Sequence, residues 1–345
     1  MLRRIAEISL EKCPELRRRV RHHHVTSGFV ELTQFWNLRR LRHFALDARD
    51  DGRRRSRRCE HEAVKETRSG KVVVVDLRVR GVPSQAEAET LHTYGSSIGQ
   101  DLVTVIAVDA SKLLPLLPKG YTLVPASLAG FGGPDQGVVV MAEFRAIDPT
   151  VDQRKPLTEN EVAIDIAILV VEPAHAAQAG VNIPGAFHLY TLAIYTNDAR
   201  YAASLNRGDM PVDFVNKIEY QRDMNDNTGV GNLAVAVPAK ESPFHTLSVG
   251  QGYAPVPGAA FNVVFWHDGR HEQAVLHFLN QPFRQGTAIS QIYTEPHSRW
   301  DRLLNGGGLG PCAPHPVTGY GCVIAPALNL RYDEGGKGRL LSFDD

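Results

Sequence analysis

The sequence lacks the features that mark several large protein classes. It has four cysteines and no CxxC pair, which argues against zinc knuckles and thioredoxin-type redox motifs. No apolar run approaches the roughly 18 residues of a membrane-spanning helix, so we expect a soluble protein with no membrane partner. The formal net charge of the 345 residues is zero, and this balance gives no support to a nucleic-acid partner.

Signatures of nucleotide and hydrolytic chemistry are also missing. There is no GxGxxG after a strand, no P-loop, no GxSxG elbow and no HExxH. Dinucleotide, nucleotide, serine-hydrolase and zincin functions therefore lack sequence support. Because the histidines show no spacing specific to a metal site, we expect neither a cofactor nor a metal ion.

Charge is divided unevenly along the chain. Residues 1–80 contain 21 basic and 11 acidic residues, with Arg-rich runs at 17–19 and 53–58. Such runs repel themselves and usually stay disordered. Residues 1–88 are therefore interpreted as an Arg-rich leader, either disordered or the product of a mis-assigned start. A basic arm for nucleic acid is the weaker interpretation, since no folded basic motif accompanies the runs.

The chain as written does not favour export. Residues 84–88 resemble a small-residue signal cleavage site, but Asp76, Arg78 and Arg80 interrupt the apolar segment that should precede it. A cytoplasmic location is favoured, with export as the minority alternative. Cys312 and Cys322 could pair in an exported protein or remain two free thiols.

Beyond residue 88 the chain consists of short apolar runs punctuated by Gly, Pro and Asn. Strands are predicted at 102–108, 138–144, 161–171, 187–195, 218–221, 233–237, 244–249, 261–266 and 273–279. Short helices are predicted at 112–117, 174–179 and 198–205, and the Asp268-Gly269 pair predicts a hairpin turn. With no long helix between strands, we expect residues 89–345 to form a single mainly β (α+β) domain, an antiparallel barrel or sandwich.

Several segments resemble the acetoacetate decarboxylase-like superfamily. Val108-Asp109 and the Leu/Pro-rich segment at 113–121 are similar to that family's Asp, short helix and LP-x-G segment. Residues 159–163 are similar to its strand that begins with Glu, and residues 214–219 resemble its Gly-Phe-Pro-Lys-Lys-Leu block. The resemblance covers most of residues 102–345 and implies an antiparallel β-barrel of the acetoacetate decarboxylase-like type.

The resemblance also implies an activity. In that family a lysine forms a Schiff base with a β-keto acid, and the iminium accepts the electrons released with CO2. In an ungapped alignment Asn216 takes the place of the nucleophilic lysine and Lys217 that of the lysine after it. A one-residue shift makes Lys217 the nucleophile of a lyase acting on a small β-keto acid or related carbonyl compound. An exposed strand residue is the other interpretation of Lys217.

Glu161 and Asp165 are the candidate acids and bases. The resemblance places the family's active-site Glu near Glu161, and strand alternation puts Asp165 on the same face. That face either lines a cavity, where a carboxylate can transfer protons, or faces solvent.

Two further functions stay open. The same fold could act as a hydratase, dehydratase or isomerase with Glu161, Asp165 and Asn216 as acid, base and hydrogen-bond donor. It could also be a non-catalytic small-molecule binding protein. The substrate and the oligomeric state, a homo-oligomer included, are not fixed by the sequence.

Overall fold

The computed structural model describes residues 88–130, 132–154, 160–254, 261–269 and 272–343. Apart from Ala88, the Arg-rich leader expected over residues 1–88 lies outside these ranges. Within them, none of the helices has the length and apolar character needed to cross a membrane.

Strands make up most of the described chain. They are β1 (Glu89–Gly95), β2 (Ile98–Asp109), β3 (Gln136–Ile147), β4 (Thr150–Val151), β5 (Asn160–Val170), β6 (Phe187–Thr196), β7 (Val212–Phe214), β8 (Glu219–Met224), β9 (Val230–Val237), β10 (Phe244–Tyr253), β11 (Phe261–Asp268), β12 (Gln273–Gln281), β13 (Arg284–Thr294), β14 (Gly310–Cys312), β15 (Gly321–Tyr332) and β16 (Lys337–Phe343). The helices are short: α1 (Ala110–Leu113), α2 (Ala199–Arg207) and α3 (Arg299–Leu304), with 3-10 turns at Leu114–Leu116, Ala126–Ala129 and Ala174–Ala177. The mainly β prediction is confirmed.

The strands form one mixed sheet in the order β4-β1-β16-β12-β11-β6-β5-β3-β2-β15-β13-β10-β9-β8. The pairings between described strands are antiparallel except those of β6 with β11 and β7. Within the described ranges no pairing joins β4 to β8, the two ends of this path. The antiparallel prediction therefore holds for most pairs, whereas a closed barrel is supported only loosely. Because β6 and β11 are far apart in sequence, the intervening strands allow β11 to return in the same direction.

Local signals account for several elements. Asp198 caps α2 by accepting hydrogen bonds from the backbone N–H groups of Arg200 (2.7 Å) and Tyr201 (2.9 Å). Strand β11 ends at Asp268 and pairs with β12 as an antiparallel hairpin, as the Asp268-Gly269 pair predicted. The sequence reading missed α3, although Ser298 caps it at the backbone N–H of Asp301.

The centre of the sheet is buried on both faces. In β2, β3 and β5, residues 102–108, 137–143 and 161–170 are all buried. Such strands read as near-continuous apolar runs because neither face contacts water. Any carboxyl group in these segments is therefore withdrawn from solvent.

A disulfide joins the short edge strand β14 to β15. Cys312 lies directly opposite Cys322 in the antiparallel register, and the two thiols are bonded. From the sequence, a disulfide between these two cysteines and two free thiols were both possible. The ten-residue separation closes a small loop, and the bond restricts the unfolded chain.

We expect Cys312→Ser to lower the free energy of unfolding by about 3 kcal/mol under oxidising conditions, as loop-closure entropy predicts for about ten residues. Urea unfolding of both proteins, with and without dithiothreitol, measures this effect. The difference should disappear when the wild type is reduced. Equal stability of the two proteins under oxidising conditions would contradict the expectation.

Candidate active site

A small cavity of about 60 Å³ lies against one face of β2, β3 and β5. Its polar lining residues are Asp101, Asp165, Tyr201, Gln281 and Tyr332. Its apolar wall is Val103, Val140, Ala142, Phe144, Ala163, Leu189, Phe261, Val263, Phe265 and Phe278. The space admits a few water molecules or the reacting part of a small ligand.

Strand register brings Asp101 and Asp165 to the same cavity. Asp165 lies opposite Ala142 in the pairing of β5 with β3. Asp101 lies opposite Phe144 in the pairing of β2 with β3. Ala142 and Phe144 are two residues apart on β3 and therefore share a face, which puts both carboxyl groups on that face.

Burial controls the protonation of these two groups. Withdrawal from water raises the pKa of Asp165 to about 7. It raises the pKa of Asp101 to about 8, with further contributions from the charges of Asp165 and Glu143. The Oδ1 atom of each residue is buried and accepts no hydrogen bond from any described residue. The cavity therefore contains two carboxyl groups that change charge near neutral pH, a property typical of catalytic acids and bases.

Glu161 lies four residues before Asp165 in β5, on the same face of the strand. Its side chain is buried, and burial together with the charges of Asp198 and Asp165 raises its pKa to about 8. It is not among the residues that line the cavity. This face of β5 is thus turned away from solvent, with Asp165 in the cavity wall and Glu161 electrostatically coupled to it.

Tyr201 is the remaining ionisable group near Asp165. It lies in the first turn of α2, where the Asp198 cap fixes the start of the helix. Burial and the charges of Asp165 and Glu161 raise its pKa well above the ordinary value, so its hydroxyl stays protonated. Its ring packs edge-on against Tyr94, with 5.1 Å between ring centroids. The result is a hydrogen-bond donor held at the cavity wall.

Asn216 and Lys217 lie elsewhere. Both are exposed in the segment between β7 and β8, and neither lines the cavity. The structure brings Glu161 and Asp165 together and leaves Asn216 and Lys217 at the surface.

The sequence reading missed Asp101, Tyr201 and Glu143. Asp101 and Glu143 each carry a signal, an acidic residue within or next to a strand-length apolar run. Tyr201 carries none, because a tyrosine in a short helix is ordinary and only the packing of α2 against the cavity gives it a role.

Glu143 belongs to the opposite face of the sheet. Thr246 donates a hydrogen bond to its carboxyl group, and burial raises its pKa to about 7. Nearby in the register, Thr104 donates to Ser290 (2.9 Å), which also hydrogen-bonds with Ser248 (2.8 Å). This second polar cluster is separated from the cavity by the sheet itself.

The cavity wall carries no positive charge. None of its lining residues is Lys, Arg or His. Across the ranges that the structure describes, no three His, Cys, Asp or Glu side chains are grouped so as to hold a metal ion. The polar side chains that line this cavity are therefore carboxyl, hydroxyl and amide groups.

No protein-family model and no curated protein sequence matches the chain. Solved structures do resemble it. The enduracididine biosynthesis enzyme MppR complexed with pyruvate has 11% identity and a TM-score of 0.45, covering 72% of this chain and 87% of its own. An acetoacetate decarboxylase-like enzyme from Sphingomonas wittichii RW1 has 11% identity and a TM-score of 0.41, with coverages of 73% and 91%. Acetoacetate decarboxylase from Legionella pneumophila has 11% identity and a TM-score of 0.39, with coverages of 79% and 98%.

Acetoacetate decarboxylase and a decarboxylase-like enzyme are thus among the similar structures. At these TM-scores, all below 0.5, the likeness carries no argument about this chain. It assigns neither a substrate nor a catalytic residue, so the site is argued from its own groups.

The buried carboxyl groups predict a pH dependence of stability. In the unfolded chain Asp165 ionises near its ordinary pKa of 3.8, whereas in the folded chain its pKa is about 7. Between these values the folded state binds more protons, so stability should fall as pH rises. For Asp165 alone the loss is on the order of 4 kcal/mol.

Urea unfolding at pH 5, 7 and 9 tests this dependence in the wild type and in Asp165→Asn, with exposed Asp223→Asn as the control. Asp165→Asn should gain stability relative to the wild type as pH rises, whereas Asp223→Asn should not. A difference between wild type and Asp165→Asn that is constant from pH 5 to 9 would rule the dependence out.

Proposed function

We propose that this chain is an enzyme that transfers protons on a small, uncharged carbonyl or hydroxy compound, as a hydratase, dehydratase or isomerase. The observation that carries the proposal is the pair Asp101 and Asp165, two carboxyl groups with near-neutral pKa values that line one apolar cavity and each have a buried Oδ1 atom. Enzymes commonly assign acid and base roles by separating the pKa values of two such groups.

The pKa values indicate the roles. The negative charge of Asp165 raises the pKa of Asp101, so an ionised Asp165 helps Asp101 to retain its proton. Near neutral pH the cavity contains a carboxylate and a carboxylic acid. The Asp165 carboxylate would take a proton from the carbon next to a carbonyl, while Asp101 gives its proton to the carbonyl oxygen, which produces an enol. In a dehydration, Asp101 would instead protonate the leaving hydroxyl group and release it as water.

The charge of the wall favours an uncharged substrate. A substrate carboxylate in this cavity would lie near ionised Asp165 with no lining cation to compensate. Two like charges 4 Å apart repel by about 4 kcal/mol at an effective dielectric constant of 20. This penalty makes a β-keto acid a poorer substrate here than a ketone, an enol or an alcohol.

The lysine iminium remains a separate prediction that rests on the sequence resemblance. Lysine nucleophiles are activated by desolvation or by a neighbouring cation. The Lys217 side chain is exposed, and its neighbours in sequence are Asn216 and Ile218. The geometry therefore supports the carboxyl pair better than it supports Lys217.

Proton exchange tests the step that these reactions share. The full chain is incubated in D2O with acetone, butanone or hydroxyacetone, and NMR measures the loss of the α-proton signal. Asp165→Asn and Asp101→Asn should each slow the exchange at least about a hundred-fold, the usual contribution of a general acid or base. Asp223→Asn and Lys217→Ala should retain the wild-type rate, which should be greatest between about pH 7 and 8.

Borohydride reduction separates the alternatives. The same ketones and a panel of β-keto acids are added, followed by borohydride, and intact mass and peptide mapping locate any adduct. A reduced adduct on Lys217, lost in Lys217→Ala together with activity, would overturn the proposal in favour of the iminium. Saturable binding of a ketone without exchange or adduct would instead indicate a binding protein.

A further inference from the structure

A second and larger cavity lies on the other face of β12 and β16. Its volume is about 600 Å³. Basic or imidazole side chains line one part of it, namely Lys337, Arg339 and His277. Apolar side chains, among them Val181 and Leu341, line another part. A space of this size is typical of a small-molecule site.

Strand alternation separates this cavity from the one that contains Asp101 and Asp165, which we call the acidic cavity. His277 lies directly opposite Arg339 in the antiparallel pairing of β12 with β16. Lys337 and Arg339 are two residues apart and share a face. Phe278, the residue after His277, lines the acidic cavity instead. Strand β12 therefore contributes residues to the walls of both cavities.

Three side chains of the second cavity, His277, Lys337 and Arg339, are without an ion-pair partner among the described residues. His277 is 9% exposed, and its Nδ1 atom is buried with no hydrogen-bond partner among the described residues. Lys337 and Arg339 are exposed, and none of the ion pairs between described residues includes either of them. No acidic residue is among the lining residues. Two cations and an imidazole thus line a cavity that has no acidic side chain in its wall.

We propose that this cavity binds an organic anion, a carboxylate or a phosphate monoester attached to an apolar group. Arg339 can hold such a head group with two parallel hydrogen bonds, and Lys337 adds a second charge. The apolar body would then lie against Val181 and Leu341. This site does not depend on the function proposed for the acidic cavity.

Charge favours a separate anionic ligand over a segment of the same chain. Residues 1–80 contain 21 basic and 11 acidic residues. A segment with that excess of positive charge does not complement Lys337 and Arg339.

Calorimetric titration of the full chain tests the site with phenyl phosphate and 4-phenylbutyrate as probes. One of them should bind saturably. Arg339→Ala and Lys337→Ala should each weaken its binding about ten-fold or more, the usual loss for a charge-assisted hydrogen bond. Arg207→Ala and Lys240→Ala remove exposed cations that do not line the cavity, and they should bind as the wild type does. Which probe binds more tightly distinguishes a carboxylate from a phosphate ligand.

Absence of saturable binding to the wild type would overturn the proposal, and so would equal binding by all four variants. Near-UV circular dichroism checks that each variant is folded. If Arg339→Ala does not fold, Arg339→Gln keeps the stem of the side chain while removing its charge, and it should show the same loss of affinity. Because Asp165→Asn leaves this cavity unaltered, it should bind the probe normally whether or not it retains proton exchange.

Discussion

The exclusion of water from both faces of β2, β3 and β5 is the constraint on which the rest of the structure depends. A carboxyl group in a half-exposed sheet would be hydrated and ionised at neutral pH. Here Asp101 and Asp165 face an apolar wall on one side of the sheet, while Glu143 faces a hydrogen-bonded cluster on the other. Burial raises the pKa of all three groups. The cost of burying them is met by protonation, which also makes them able to exchange protons.

Much of the fold could be predicted from local pattern. Each of the nine predicted strands corresponds to an observed one, because apolar, β-branched runs bounded by Gly, Pro and Asn have few other stable conformations. The other seven strands were not predicted, namely β1, β4, β7, β13, β14, β15 and β16. Part of the site was also predictable. The alternation in β5 puts Glu161 and Asp165 on one face whatever packs against it.

The parts of the fold and the site that the sequence did not predict depend on contacts between distant parts of the chain. The wall opposite Asp165 comes from Phe261 and Phe265 in β11, almost a hundred residues later in the sequence. From the sequence pattern of β5 alone, a strand face that lines a cavity cannot be distinguished from one that is exposed to solvent. The open, mixed sheet has a similar cause, since the parallel pairing of β6 with β11 is set by long-range packing. The placement of Lys217 follows the path of the chain between β7 and β8, which the sequence motif did not determine.

Strand β12, which lines both cavities, shows how a shift of one residue changes which side chain enters each cavity. Phe278 closes the acidic cavity, while its neighbour His277 faces the basic one. A slip of one residue would bring a basic side chain into the acidic cavity, where it would pair with Asp101 or Asp165 and lower their pKa values. The separation of charge between the two faces thus preserves the near-neutral carboxyl groups. The cavity with Asp101 and Asp165 has no basic lining residue, and the cavity with Lys337 and Arg339 has no acidic one, so the two cavities differ in the sign of the charge at their walls.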